Sequence, residues 1–274
     1  MWLPSDPGFA AGLTVGISTL GARADGIVLP RPEPSVFYDI LVQRPGAASS
    51  LEGLYADLCG GRDDVRVLPL DGQGVAASRN AALDAARTPY LLFGDDDVTL
   101  DLAGVRRLWA VLRDDPALAV VTGRRTGPVP ARYAGQGHSL RLWNTAKTAT
   151  PEILLRVAPV RAAGVRFDTG FGIGAPHPLG DEYVFLTDAL KAGLKGRFEP
   201  IAIGDHPDDS TGTDWSDPVL LRARVAVLRR VFGPLAGPMR LAFALKNRHR
   251  LKDAYGGTVG GVLGFALGRV PDSR

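Results

Sequence analysis

Three adjacent carboxylates, Asp95 to Asp97, directly follow an apolar run at Tyr90–Gly94. The run is short, aliphatic and aromatic, which predicts a buried strand. In open α/β sheets, ligands bind just beyond the carboxyl ends of the parallel strands. Three neighbouring negative charges repel one another, and a divalent cation with hard oxygen ligands would relieve that repulsion. The alternative is a polar turn in which Asp97 or Asp101 caps the next helix.

A second pair of carboxylates, Asp181 and Glu182, follows Gly180 at the start of a segment that ends near Gly193. The spacing of its apolar residues predicts a helix, and Gly193 suits its C-terminal cap. Acidic residues are favoured in the first turn of a helix, so capping alone would explain this pair.

The elements that would position these acids alternate along the chain. Strands are predicted at 13–19, 36–42, 65–70, 90–93, 117–121 and 195–203, with a further short strand at 152–157, and helices at 51–58, 75–86, 102–112 and 180–191. This alternation predicts an α/β fold with a doubly wound, mostly parallel sheet. The segment at 123–150 is too long for an ordinary connection, so we expect a functional excursion or a small added hairpin.

Composition narrows the class of protein. The 274 residues are 45% hydrophobic with a mean hydropathy of +0.04, which favours a folded core over disorder. The single cysteine, Cys59, fits a reducing compartment. The N-terminal residues lack the pattern of a signal peptide, and no apolar run approaches the roughly 20 residues of a membrane helix. We therefore predict a cytoplasmic protein.

The C-terminal segment differs in charge from the rest of the chain. No acidic residue occurs between Val219 and Asp253, while basic residues alternate with aliphatic ones. The basic residues are Arg222, Arg224, Arg229, Arg230, Arg240, Lys246, Arg248, Arg250 and Lys252. This pattern predicts a basic amphipathic helical extension at 219–274, after a main domain at 1–218. Such a basic amphipathic extension would suit binding to an anionic membrane surface. The alternatives are a helical hairpin packed on the sheet and, without a recognised motif, nucleic acid.

Two blocks of the sequence resemble family 2 glycosyltransferases. The first contains Gly74 and Arg79-Asn80, followed by the apolar strand and the acids that end at Asp97. The second, Gly180-Asp181-Glu182 with the helix behind it, is similar to the family's Gly-Glu-Asp acceptor motif. The resemblance covers roughly residues 13–212. It implies the GT-A fold and inverting transfer of a sugar from a nucleoside-diphosphate sugar to an acceptor hydroxyl of a glycan or lipid-linked precursor.

The resemblance also implies residue roles on the donor side. Asp95 and Asp97 would hold Mg²⁺ or Mn²⁺, which would neutralise the charge on the departing diphosphate. His206 is a candidate further ligand or phosphate contact, or only a loop histidine. The residues expected to contact the nucleotide sugar are Thr19, Gln43, Asp71, Arg79, Asp95 and Asp96.

On the acceptor side the resemblance implies a carboxylate general base. The two acids occur here in the reverse of the family's order, and we favour Glu182 over Asp181. Gln43 stands where family members often have an acid that reads uracil, which leaves the nucleotide base open. Phe171 is either a stacking platform for a sugar or a core residue.

Two other functions compete with glycosyl transfer. Nucleotidyl transfer uses a related sheet and metal-binding acids, but the sequence near the N-terminus has no glycine-rich phosphate loop. A non-catalytic scaffold of a glycan-assembly complex could keep the fold. A scaffold, however, needs neither the metal acids nor a base.

Overall fold

The computed structural model describes residues 11–44, 53, 56, 58–127, 135–205, 212 and 214–271. Most of the helix predicted at 51–58 lies outside these residues, as do His206 and the N-terminal residues. The described part of the chain contains one nine-stranded sheet and eight α-helices.

The strands follow the predicted order, with two short additions. They are β1 (Leu13–Leu20), β2 (Val36–Gln43), β3 (Val65–Leu70), β4 (Tyr90–Asp95), β5 (Thr99–Leu100), β6 (Leu118–Arg125), β7 (His138–Ser139), β8 (Ile153–Arg156) and β9 (Lys195–Asp205). The order across the sheet is β3-β2-β1-β4-β8-β6-β9-β5, and β7 also pairs with β9. Their bounds agree with the sequence prediction to within a few residues.

The sheet is parallel in one half and mixed in the other. β1 pairs in parallel with both β2 and β4, and β2 pairs in parallel with β3. β8 is inserted antiparallel between β4 and β6, and β9 runs parallel to β6. The parallel half is the doubly wound part, and it brings the carboxyl ends of β1, β2 and β4 to one edge.

The helices cover both faces of the sheet. They are α1 (Val75–Ala85), α2 (Leu102–Asp114), α3 (Val157–Ala162), α4 (Asp181–Lys191), α5 (Pro218–Phe232), α6 (Ala236–Lys246), α7 (Arg248–Ala254) and α8 (Thr258–Ala266). Val105, Leu108 and Leu112 of α2 belong to the core on one face. Leu83 of α1 and Phe185 of α4 belong to the core on the other.

The C-terminal helices form their own apolar cluster but also pack on the sheet domain. Leu221 and Leu228 of α5 meet Ala244, Leu251 and Phe265 in that cluster. Arg230 of α5 also donates to Asp168 and Asp188, at 2.8 and 2.7 Å. The predicted boundary at residue 218 coincides with the first residue of α5, while the division into two domains stays a prediction. Among the described residues, no helix is both long and apolar enough to cross a membrane.

Candidate active site

A cavity of about 720 Å³ lies over the carboxyl edge of the parallel strands. Of the residues expected to bind donor, metal or acceptor, it is lined by Thr19, Gln43, Arg79, Asp95, Asp96, Asp97, Asp181 and Glu182. Asp71 is exposed on the loop after β3 and is not among the lining residues. Its predicted contact with the donor stays a prediction, as does the role of His206.

Register in the sheet explains why residues far apart in sequence meet here. Ser18 pairs with Asp95, and Leu20 pairs with Gln43, so β1, β2 and β4 end side by side. The side chain that caps α2 is that of Asp101, which accepts a hydrogen bond from the Ala103 amide at 3.1 Å. The helix cap therefore does not require the three preceding acids, and all three border the cavity.

Asp96 is held by two partners. Thr19 Oγ1 donates to Asp96 Oδ2 at 2.7 Å, and Arg23 Nη2 lies 2.7 Å from Asp96 Oδ1. Burial raises the pKa of Asp96, against the hydrogen bond from Thr19 and the charge of Arg23. The side chain of Asp97 is the most exposed of the three, at 36%, and it lies 3.5 Å from Arg23 Nη2. Arg23 was not predicted from the sequence, because an arginine in a loop carries no distinguishing signal.

Arg79 links the two acidic motifs. It is buried on α1, and its Nη2 donates to Asp95 Oδ1 at 3.1 Å while its Nη1 donates to Asp181 Oδ2. Burial opposes its charge, but Asp95 and Asp181 outweigh that effect and raise the pKa of Arg79. The predicted donor contact is therefore also the residue that fixes Asp181 relative to the strand edge.

Two glycines allow the loops around Arg79 to approach closely. Gly74, with a φ of +101°, precedes α1, and Gln43 Nε2 donates to its carbonyl oxygen at 2.9 Å. Gly172 has a φ of +93°, and a Cβ there would lie 2.8 Å from both Asp181 Cγ and Val75 Cγ2. Only glycine tolerates this conformation at such a separation. The glycine-rich loop thus holds the N-terminal ends of α1 and α4 together.

Glu182 lines the cavity from the first turn of α4. Burial and the neighbouring charge of Asp181 raise the pKa of Glu182 to about 8, despite the opposing charge of Arg79. Asp181 is buried and engaged by Arg79, whereas Glu182 is partly exposed.

Phe171 lies in the core. It is 6% exposed and packs with Tyr183 and Val227. Of the two explanations that the sequence left open, the structure therefore supports the core residue.

Arg224 is a cavity residue that the sequence analysis placed in the basic surface tract. It is only 7% exposed, its Nη2 donates to the carbonyl oxygens of Gly212 and Asp214, and it stacks 4.3 Å from the Trp215 ring centroid. Its Nη1 is buried without a hydrogen-bond partner. Burial lowers the pKa of Arg224 to about 10. Its spacing with Leu221 and Leu228 on one helical face is the signal that could have identified it.

Comparisons with known proteins agree with this geometry. The sequence model of "Glycosyl transferase family 2" matches residues 49–169. Two pre-mycofactocin glycosyltransferases, from strains CDC 1551 / Oshkosh and ATCC 25618 / H37Rv of Mycobacterium tuberculosis, are each 29% identical over 191 residues. The match covers 64% of this chain and 39% of each relative, so the chain spans about two fifths of their length.

Solved structures share the fold. S. aureus TarS 1–349 aligns with a TM-score of 0.58 at 12% identity, covering 94% of this chain and 83% of that one. The same protein with UDP-GlcNAc gives 0.53 at 14%, covering 92% and 81%. Mannosyltransferase PcManGT from Pyrobaculum calidifontis, with GDP-Man and Mn²⁺, gives 0.58 at 14%, covering 89% and 73%. The fold is the GT-A fold, as the sequence predicts, and residues 49–169 are similar to glycosyl transferase family 2.

Proposed function

We propose that this chain is an inverting glycosyltransferase that moves a sugar from a nucleoside-diphosphate sugar to an acceptor hydroxyl. The observation that carries the proposal is one cavity with Asp95–Asp97 at one wall and Glu182, with its raised pKa, at another. The family match and the nucleotide sugars in the related structures support the same reaction.

The donor would bind along the edge of the parallel strands. Thr19 and Asp96 form one hydrogen-bonded pair there, and Arg79 contributes a buried positive charge near the position expected for the diphosphate. Gln43 Nε2 donates a hydrogen bond to the Gly74 carbonyl oxygen. The side-chain carbonyl oxygen of Gln43 would then accept a hydrogen bond from the edge of the nucleotide base. An amide oxygen can accept from several bases, so Gln43 does not select uracil by itself.

The acids of this edge suit a divalent metal as an open site. Asp95 and Asp97 offer carboxylate oxygens, the hard ligands that Mg²⁺ and Mn²⁺ prefer. In the described chain no three acidic, histidine or cysteine side chains form a closed metal cage. This arrangement fits, because Mg²⁺ at nucleotide sites uses one or two carboxylates together with substrate phosphates. A bound metal would supply Lewis-acid stabilisation of the diphosphate leaving group.

Glu182 would act as the general base. Its carboxylate takes the proton of the acceptor hydroxyl as the oxygen attacks the anomeric carbon from the side opposite the diphosphate. The new carbon–oxygen bond forms while the bond to the nucleotide breaks, and the diphosphate leaves with the electron pair. A raised pKa suits this role, since a more basic carboxylate removes a hydroxyl proton more readily. Asp181, engaged by Arg79, would orient the site.

The acceptor would enter from the side of α5. Val227 of α5 lies against Gly180, where an added Cβ would come within 2.6 Å of its Cγ2. Arg224, one turn earlier on the same face, places a buried positive charge in this half of the cavity. We propose a glycan or lipid-linked acceptor, presented on the cytoplasmic side of an anionic membrane surface.

Calorimetric titration with a panel of nucleoside diphosphates, with and without Mn²⁺, tests the proposal. We expect one nucleotide to bind in the presence of Mn²⁺ and to bind at least about tenfold more weakly without it. Binding of a nucleoside triphosphate in preference to every diphosphate would favour nucleotidyl transfer. No binding of any nucleotide to the folded protein would favour the scaffold.

Asp97→Asn is the matched variant for the metal. It keeps the size of the side chain but removes one negative charge, and Asp97 is half-exposed, so we expect the fold to persist. We expect the Mn²⁺-dependent part of the binding to fall by at least about tenfold, while metal-free binding stays the same. An unchanged response to Mn²⁺ would remove Asp97 from the metal site. Asp101→Asn, at the cap of α2, is the control.

A further inference from the structure

The C-terminal helices carry apolar side chains that are exposed in rows. On α8 and at its C-cap, Val259, Leu263 and Leu267 are 72%, 55% and 62% exposed. On α6, Leu241 and Leu245 are 42% and 50% exposed. Residues spaced by four lie on one face of a helix, so each row is a stripe. We call these five residues the apolar stripes.

The two stripes belong to one packed unit. Phe243 of α6 and Phe265 of α8 stack in its core at 5.5 Å, and Arg240 Nε donates to the Ala266 carbonyl oxygen at 3.0 Å. Leu241, Leu245, Leu263 and Leu267 are each two positions away from one of these phenylalanines, which places them away from that core. Since Phe265 is fully buried, the exposed leucines are not needed to complete the unit.

Three exposed basic residues lie on α6 and on the helix that follows it: Lys246, Arg248 and Lys252. Arg248 also donates from Nη1 to the Leu245 carbonyl oxygen at 3.2 Å. Two other basic residues of the segment are engaged by the sheet domain or the core, since Arg224 is buried and Arg230 is paired with Asp168 and Asp188. The fold thus buries or pairs part of the basic tract and leaves these three cations exposed to a partner.

Charge is strongly separated along the chain. Residues 218–269 contain ten basic residues and one acidic residue, a formal charge of +9. Because the whole chain carries +3, the remaining residues carry −6. The exposed leucines therefore lie in the segment of the chain that carries the excess positive charge, a combination typical of proteins that dock on anionic lipid.

We propose that the apolar stripes, with Lys246, Arg248 and Lys252, dock the protein on an anionic phospholipid surface. The stripe side chains enter the boundary between headgroups and acyl chains, and the three cations contact lipid phosphates. This proposal rests on the proposed function for its purpose, since the same C-terminal unit lines the reaction cavity through Arg224, Val227 and Phe243. Docking would orient the cavity toward a lipid-linked acceptor.

Vesicle sedimentation tests the docking. The intact protein is mixed with vesicles of phosphatidylcholine containing 30% phosphatidylglycerol, and with vesicles of phosphatidylcholine alone. We expect binding to the anionic vesicles that weakens by at least about tenfold when Lys246, Arg248 and Lys252 are all changed to Gln. Equal binding to both kinds of vesicle, or binding to neither, would overturn the proposal.

Two matched variants separate charge from location. Arg107→Gln, Arg113→Gln and Lys195→Gln together remove the same three charges from exposed positions of the sheet domain, and we expect nearly unchanged vesicle binding. Leu263→Ser with Leu267→Ser should weaken binding several-fold, whereas Val28→Ser, at an 87% exposed position outside the C-terminal helices, should not. Equal effects of the two charge-removing triples would show that net charge alone drives binding and would overturn the proposal.

A separate measurement of nucleotide binding distinguishes a failure of membrane docking from a failure of the proposed reaction. Every variant is also titrated with the nucleoside diphosphate and Mn²⁺, and we expect no change because the altered residues do not line the cavity. A variant that loses vesicle binding and keeps nucleotide binding has lost membrane docking and has kept the donor site. If the wild-type protein fails to bind vesicles but forms a stable dimer that the Leu263 and Leu267 changes dissolve, the stripes contact a second copy and the proposal is wrong.

Discussion

The two halves of the cavity differ in how their charges are compensated. On the strand edge, Asp96 is held by Thr19 and Arg23, and Asp95 by Arg79. On the side of α4 and α5, neither Glu182 nor Arg224 forms an ion pair with another described residue; the pKa of Glu182 is raised to about 8, and burial lowers the pKa of Arg224 to about 10. Buried nitrogens without a hydrogen-bond partner occur in both halves, at Arg79 Nε and at Arg224 Nη1. We propose that a substrate stabilises the two charged groups on the side of α4 and α5.

We therefore expect binding and chemistry to depend on different halves of the cavity. The ion pairs of the strand edge fix its geometry, so changes there should alter donor affinity. On the side of α4 and α5, where we propose that the acceptor binds, changes should alter turnover and acceptor binding. Perturbed groups of this kind cluster at functional sites, although structural ion pairs also produce them.

Glu182→Gln should have the largest effect. We expect the transfer rate to fall by about 10²- to 10⁴-fold, because the amide cannot take the acceptor proton. Nucleotide binding should remain, since Glu182 lies in the acceptor half. The measurement is turnover of the nucleotide sugar beside calorimetric binding of the nucleotide.

Asp181→Asn is the matched change for that experiment. It leaves Glu182 in place and weakens the ion pair with Arg79. We expect a smaller loss of rate than for Glu182→Gln, together with weaker donor binding, because Arg79 also holds Asp95. A larger loss of rate in Asp181→Asn, with donor binding intact, would assign the base to Asp181.

The rate should also depend on pH. Below a pKa of about 8 the carboxyl group of Glu182 is mainly protonated and cannot accept a proton. We therefore expect kcat/KM to rise by about tenfold per pH unit up to about pH 8 and then to level off. A profile measured from pH 5.5 to 9.5 that is flat above pH 5.5 would contradict a raised pKa for the base.

Much of the donor edge could be predicted from sequence. The parallel strands and their ends follow from apolar runs that stop at polar residues. The resemblance to family 2 glycosyltransferases implied Thr19, Gln43, Asp95 and Asp96 at those ends, and all four line the cavity. Local pattern is sufficient there because each residue directly follows or ends its strand. The antiparallel strand β8 was predicted as an element, but its position between β4 and β6 depends on tertiary pairing.

The other half of the cavity was harder to predict because its residues meet only through packing. Arg224 belongs to a run of arginines that look alike in sequence, and the fold buries one while leaving Arg222 exposed. Phe171 precedes a glycine-rich loop, as a ligand-stacking residue would, but it packs on α5, whose contact with the loop no local pattern predicts.

Arg224→Gln should have the smallest effect of these changes on the reaction. The amide keeps part of the hydrogen bonding to Gly212 and Asp214 and removes the buried charge. Arg224 lies in the part of the cavity that we propose for the acceptor. We therefore expect nucleotide binding to change by less than about twofold. The KM for the acceptor should rise about tenfold, as expected for the loss of one charged hydrogen bond. Arg224→Lys should recover part of that affinity, because it restores the charge without the planar guanidinium.

Arg222→Gln, on the exposed face of the same helix, should have no effect. Arg224→Gln could instead weaken the binding of nucleoside diphosphates and leave the binding of nucleoside monophosphates unchanged. That result would show that Arg224 contacts the donor diphosphate, and that the side of α5 belongs to the donor site.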